Sequence, residues 1–235
     1  MILSCSLKKN LHNDTMENNR VIIFDMDGVI IESVSYMLEL NKQRFVGSTR
    51  KDFEHLFIGN IQEQVRKLKR IYLKDDISKE RDRELREAYT KRKVTDVELY
   101  EGIAELLSSL ASKYKLSINT SAADVNTFAI LDRHNIHQYF DKVLTRDLTQ
   151  SKVEKFKILA DYYGVNPKEM LFITDSLGDV MESHELDIPT LVVTYGVHDR
   201  SYFDTNTYSH VVGVVDTVEE LTSTIGEYME QKNKQ

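Results

Sequence analysis

Short apolar runs alternate with longer amphipathic stretches along most of the chain. "RVIIF", residues 20–24, is brief, β-branched and aromatic with no polar alternation, the pattern of a strand buried on both faces. The same character recurs in "KLSINT", "KVLT", "EMLFIT", "IPTLVVTY" and "HVVGVV". Between these runs lie stretches with helical spacing, from "YEGIAELLSSLASKY" to "DTVEELTSTIGEYMEQ". Gly164 stands just past one of them, where a left-handed cap falls. Asp216 and Glu219 occupy capping-box positions at the start of the last. Strands alternating with helices of this length predict an α/β fold, a parallel sheet covered on both faces.

Residues 33–97 break the alternation. Segments 34–46, 61–73 and 78–93 carry helical spacing and dense mixed charge, with almost no strand signal. "SKERDRELREAYTKRK" offers only Leu85, Ala88 and Tyr89 for an apolar face, which predicts a solvated helix. A helical block wedged after a single strand reads as an insertion. The expected organisation is a core made of residues 20–32 and 98–235 with a helical insert over 33–97. Residues 1–19 are polar and aperiodic, and are expected to form a disordered or loosely attached leader. Met16 opens "MENNRVIIFDMDG", so residues 1–15 are expected to be dispensable.

Composition narrows the classes. The chain has 235 residues, 41% hydrophobic and 29% charged, enough for one core domain with an inserted second unit. A formal net charge of -7 argues against a nucleic-acid binder, which shows a basic surplus, but leaves phosphorylated small molecules open. No apolar run approaches the roughly 20 residues that cross a bilayer. Cys5 is the only cysteine, so no internal disulfide forms and a reducing, cytoplasmic setting is expected. A monomer or small homo-oligomer is expected.

Ligands of open parallel α/β sheets bind beyond the carboxyl ends of the strands. After the first strand come Asp25 and Asp27, two apart in "VIIFDMDGVIIES" and so on one side while the chain stays extended. After the second come Thr120 and Ser121. Ser121 with Asp124 fits a helix N-cap pair, while a hydroxyl beside helix N–H groups also suits a phosphate. Ser151 and Glu154 mark a helix start that puts Lys152 in the first turn, where the helix dipole disfavours a cation. Lys155 and Lys157 nearby read as solvated. Asp175 and Asp179 flank "SLG" at the fourth strand end, as dipole-favourable acids or as oxygen ligands for Mg2+.

"DMDGVIIES", "LSINTS", the Lys152 helix and "LFITDSLGDV" resemble, in order and spacing, the four motifs of the haloacid dehalogenase superfamily. The branch is similar to the phosphatases related to phosphoglycolate phosphatase and β-phosphoglucomutase. "LYEGIAELLSSLASKYKLSINTS" resembles the family's segment after its cap. Glu101, Thr174 and Gly178 depart from the family pattern, which often has Pro, Gly and Asn there, and Lys152 lacks the proline that often follows it. The resemblance implies a Rossmann-like doubly wound sheet with the insert as a cap. It implies Asp25 as nucleophile and Asp27 as general acid/base. Thr120 and Lys152 would bind the transferring phosphoryl group, with Ser121 beside them. Mg2+ would be held by Asp175, Asp25 and the Asp27 carbonyl, with Asp179 in support. The implied activity is hydrolysis of a small phosphorylated metabolite through an aspartyl-phosphate.

Three rivals stay in view. A sugar phosphomutase shares the site, but in that subgroup a histidine lies where this chain has Met37. A metal-independent dehalogenase lacks the second acid of the first motif, present here as Asp27. A non-catalytic binding protein would have lost a catalytic acid, and none is lost. His198 reads as a surface-loop residue, Glu32 and Ser33 as the hinge of the insert, and Arg66 and Lys67 as solvent-facing charges.

Overall fold

In a computed structural model describing residues 20–59, 61–203 and 206–233, the apolar runs form a six-stranded sheet. The strands are β1 (Val21–Phe24), β2 (Lys115–Asn119), β3 (Lys142–Leu144), β4 (Leu171–Thr174), β5 (Thr190–Val193) and β6 (Val211–Val215). Every pairing is parallel and the order is β3-β2-β1-β4-β5-β6. Strand order reverses between β1 and β4, which in doubly wound sheets opens a crevice beyond their carboxyl ends. The leader expected over residues 1–19 lies outside the described residues.

Alternation along each strand sends side chains to two apolar layers. Ile22, Phe24, Leu171 and Ile173 pack on α5 (Ile103–Ala111), α6 (Asp124–Arg133) and α9 (Val218–Asn233). Val21, Ile23 and Phe172 face the other way, onto α7 (Lys152–Tyr163). Val192 meets α8 (Leu177–His184) on that same side through Val180. Gly164 ends α7 at φ 66°, in the left-handed conformation that its sequence position implied. The last helix starts one turn position later than the sequence suggested. Thr217, not Asp216, accepts from the Glu220 N–H at 3.1 Å, and Glu220 reaches back to the Asp216 N–H at 2.7 Å.

Between β1 and α5 the chain forms four helices: α1 (Val34–Arg44), α2 (Arg50–His55), α3 (Ile61–Tyr72) and α4 (Asp76–Asp96). The short α2 carried too little periodicity to be read. Its signal was the capping box in which Thr49 accepts from the Asp52 N–H while Asp52 accepts from the Thr49 N–H. The chain enters and leaves this helical segment side by side, where the Glu32 N–H donates to the Glu98 carbonyl at 2.9 Å.

Helix α4 is solvated over most of its length, as its composition suggested, but it also has a narrow buried face that the composition did not show. Asp82 and Lys93 are its buried residues. Asp82 is satisfied by Arg44 at 2.6 Å, Arg86 at 3.1 Å and Lys69 at 3.5 Å, and Tyr89 stacks on Tyr36 at 4.8 Å between centroids. The helix therefore has an inward face, but one made of paired charge and aromatic rings rather than aliphatic side chains.

Phe156 of α7 is fully buried and packs edge-on against Phe172 of β4 with centroids 4.9 Å apart. Phe156→Ala is expected to lower stability by about 3–5 kcal/mol through lost transfer energy and the cavity left behind, measured by urea unfolding.

Candidate active site

Pairing of β1 with β4 sets Phe24 beside Ile173, and the Asp25 N–H continues the ladder to the Ile173 carbonyl at 2.9 Å. Asp25 and Asp175 therefore leave the sheet side by side at the strand-order reversal. Asp25 Oδ1 accepts from the Met26 N–H at 2.8 Å and lies 3.0 Å from Lys152 Nζ. The same ammonium lies 2.5 Å from Asp179 Oδ2. A cation in the first turn of α7 opposed the helix dipole, and these two carboxylates supply the compensating field.

Asp179 also accepts from Thr174 Oγ1 at 2.7 Å. Thr120 is buried, and its hydroxyl accepts from the Ala122 N–H at 3.1 Å. Ser121 lines the same cavity, of about 310 Å3, as Asp25, Asp27, Thr120, Lys152, Asp175 and Asp179. All seven residues singled out at the strand ends thus meet at one opening. Ser121 is not the N-cap of α6, however. That helix begins at Asp124 after Ala123, and the Asp124 N–H is taken by Asp147 Oδ2 at 2.8 Å, from the loop after β3.

Several contributors carried no local signal. Lys93 of α4 reaches Asp27 Oδ1 at 2.5 Å with its side chain only 5% exposed. Lys155, expected to be solvated, is fully buried and donates to the Thr120 carbonyl at 2.6 Å. Lys157, Arg66 and Lys67 are exposed, as expected. His198 is not a surface residue but is fully buried. Its Nδ1 accepts from the Leu177 N–H at 2.9 Å, so Nε2 carries the hydrogen and donates to the Glu54 carbonyl of α2 at 3.0 Å. Tyr202 stacks on His198 at 4.2 Å and bonds Glu54 through its hydroxyl.

Two glycines frame Asp175. A Cβ on Gly28 would lie 1.9 Å from Asp175 Oδ2, and one on Gly196 would lie 2.2 Å from it. Gly28 also has φ +78°, so the turn after Asp27 needs glycine on both counts. Asp175 Oδ2 is held there by the Val197 N–H at 2.7 Å.

The profile of the haloacid dehalogenase-like hydrolases matches residues 22–193, most of the chain. The chain belongs to that family. Among curated relatives, a phosphoglycolate phosphatase of Nitrosococcus oceani is 25% identical over 234 residues, covering 93% of this chain and 97% of the relative. Another, of Aquifex aeolicus, is 27% identical over 188 residues, covering 75% of this chain and 85% of the relative. A haloacid dehalogenase-like hydrolase from Streptococcus pneumoniae shares the fold at TM-score 0.72 and 18% identity, over 87% of this chain and 97% of that one. A Thermotoga maritima protein assigned by prediction as a β-phosphoglucomutase does so at TM-score 0.66 and 20% identity, over 88% and 99%.

Two departures from the family pattern have physical reasons here. Thr174 supplies the hydroxyl that orients Asp179. Gly178 lets the insert approach: its N–H donates to the Phe57 carbonyl at 2.7 Å, and a Cβ would sit 2.7 Å from that oxygen and 2.9 Å from the Gly59 carbonyl.

The electrostatics of this hydrolase site are dominated by crowded, buried acids. Burial pushes the Asp25 carboxyl up to about 7; Lys152 pulls it down, while Asp179 and Asp27 push it up. Asp175 is raised well above the usual carboxylate range by burial and then by Asp25. Burial works against the charge of Lys152, but Asp179 and Asp25 outweigh it, so its pKa lies above that of an ordinary lysine. Lys155 is lowered to about 8 by burial and by Lys152. Glu182, which accepts from the Lys152 N–H at 3.1 Å, is raised to about 6 by burial and by Asp179.

Gly178→Ala is expected to push the 57–59 segment off α8. Limited proteolysis should then cut the chain near Phe57 several-fold faster than wild type. Asp25 gives a pH signature. An unfolded Asp25 ionises near 3.8 and the folded one near 7, so over that window the unfolded state releases the proton first and stability falls as pH rises. In metal-free buffer Asp25→Asn is expected to lose that part of the slope of melting temperature between pH 4 and 7; slopes equal to wild type would contradict the assignment.

Proposed function

We propose that this hydrolase is a Mg2+-dependent phosphatase that cleaves a small phosphorylated metabolite, such as phosphoglycolate or a sugar phosphate, through an aspartyl-phosphate on Asp25. The observation that carries the reading is the buried Asp25 carboxylate held 3.0 Å from the Lys152 ammonium, facing a cavity of about 310 Å3. The phosphoglycolate phosphatases among its relatives, matched over nearly their whole length in the Nitrosococcus case, support it. Cys5, the only cysteine, fits such an enzyme in a reducing, cytoplasmic setting.

The residues fit a Mg2+ ion. Asp25 and Asp179 pair with one buried ammonium and Asp175 is buried beside Asp25, leaving excess negative charge that burial makes costly. Among the described residues no three acidic or imidazole side chains form a ready cage. Mg2+ is bound by one or two carboxylates and takes the rest of its ligands from phosphate and water. Asp25, Asp175 and the Asp27 carbonyl would hold the ion. When bound, it supplies positive charge that offsets the repulsion between a carboxylate nucleophile and a dianionic phosphate.

The side chains divide the remaining work. An oxygen of Asp25 attacks phosphorus as the ester P–O bond breaks, forming the aspartyl-phosphate. Asp27 gives its proton to the departing oxygen, then accepts one from the water that attacks phosphorus and frees Asp25. Thr120 and Lys152 hold the equatorial phosphoryl oxygens, and Lys152 offsets their charge in a site shielded from water. Lys155 fixes the Thr120 carbonyl and with it the turn that presents the hydroxyl. The insert covers the opening and would move to admit substrate and release product.

Met37 lines the cavity where the mutase subgroup has a histidine, which favours hydrolysis over transfer back to a sugar. Asp25→Asn is expected to cut phosphate release from a Mg2+-containing panel of phosphate monoesters at least about 1,000-fold. Its circular dichroism should stay native. Near-normal release by that variant would refute the mechanism.

A further inference from the structure

The insert side of the cavity differs in character from the catalytic side. Arg44, Arg86 and Tyr89 line it, opposite Asp25 and Lys152. Arg44 and Arg86 each bind the buried Asp82 through Nε, at 2.6 and 3.1 Å. Their terminal amino groups have no hydrogen-bond partner among the described residues. Lys69 also lies 3.5 Å from Asp82, so three cations converge on one carboxylate. The Arg44 side chain is 11% exposed and cannot discharge its remaining field freely into water.

Two further wall atoms lack partners. Tyr89 Oη and Asn126 Oδ1 are buried with no hydrogen-bond partner among the described residues, and both residues line this cavity. Buried polar atoms in this condition are costly unless a ligand or ordered water completes them. Burial raises the Tyr89 hydroxyl above the ordinary tyrosine value, so it remains a hydrogen-bond donor. Two guanidiniums and a phenol face one space with Asn126 Oδ1, an acceptor that carries no charge to offset the cations.

We infer that the leaving group of the substrate carries an anion of its own, a carboxylate or a second phosphate, bound by Arg44 and Arg86 with Asp82 as their positioning residue. This rests on the phosphatase reading and deepens it. An alkyl group would offer these donors no acceptor, and a neutral sugar would offer hydroxyl acceptors but no charge against the three cations that share the one Asp82 carboxylate. The volume of about 310 Å3 limits the size. At roughly 30 Å3 per water-sized group it holds about ten such groups, so the phosphoryl group and a chain of a few carbons fill it. The fork geometry of guanidinium suits a planar or tetrahedral oxyanion equally, so the chemistry alone names the charge and not its bearer.

The test measures binding rather than turnover, so it stands apart from the test of catalysis. In Mg2+ buffer, calorimetry compares 3-phosphonopropionate, propane-1,3-bisphosphonate and propylphosphonate, which share the phosphonate and differ at the far end. Wild type is expected to bind at least one of the two acids at least tenfold more tightly than propylphosphonate. The tighter acid identifies the second anion as carboxylate or phosphate. Arg86→Met, at a half-exposed position, and Asp82→Asn are expected to reduce that ratio below threefold, with Arg86→Lys retaining part of it. A merely structural role for Asp82 would weaken all three ligands alike and leave the ratio intact. Should Asp82→Asn fail to fold, the Arg86 pair decides. Equal binding of the three ligands, or a preference that survives Arg86→Met, overturns the inference. Absence of phosphate release by wild type from every monoester would instead count against the phosphatase reading alone.

Discussion

One ammonium among buried carboxylates is the constraint on which the rest depends. Lys152 lies within 3.0 Å of Asp25 and 2.5 Å of Asp179, with Asp175 close by. Removing several charges from water is expensive, and pairing recovers that cost only where geometry is tight. Much of the surrounding structure serves to keep it tight. The β1–β4 register sets Asp25 and Asp175 side by side. The Met26 and Val197 N–H groups each bond one of these carboxylates, and Thr174 orients Asp179. The N-terminus of α7 can carry a lysine only because these acids face it.

Close approach is the second theme. Glycines at 28 and 196 leave room for the Asp175 carboxylate, and glycine at 178 leaves room for the backbone of residues 57–59. At these three places the missing Cβ matters more than backbone freedom, except at Gly28, where positive φ adds to it. Gly178 and Thr174 differ from what the family usually shows there. Here they are an exchange of contacts: one accommodates the insert, the other supports an acid.

How much could be read in the chain follows from how local each signal was. The strands announced themselves through short apolar runs, and Asp25, Asp27, Thr120, Lys152, Asp175 and Asp179 through their places at strand ends. Those cues lie within a few residues of each side chain. Lys93, Lys155 and His198 were missed or misread because their partners lie far along the chain, at Asp27, Thr120 and Glu54. Nothing in "KRKVTD" distinguishes the buried lysine from its exposed neighbours. Ser121 illustrates the converse. A plausible local cap was displaced by Asp147, which sequence proximity could not bring forward. Helix α4 was read correctly as mostly solvated, but a hydrophobic pattern could not reveal its narrow inward face, where Asp82 pairs with Arg44 of α1 and Tyr89 stacks on Tyr36.

The joint of the helical segment and its contact with α8 together have a mechanical meaning. The two chain crossings are bonded to each other, Glu32 to Glu98, so they act as a single pivot. The second attachment is a set of directional bonds at residues 54–57: Gly178 to Phe57, and His198 and Tyr202 to Glu54. A body on one pivot swings by small degrees; a body also latched at a distance does not. Any swing of these four helices away from the sheet has to break that set of bonds and the Lys93–Asp27 ion pair as well. The helical segment is thus held both where it joins the core and at a distance from that joint.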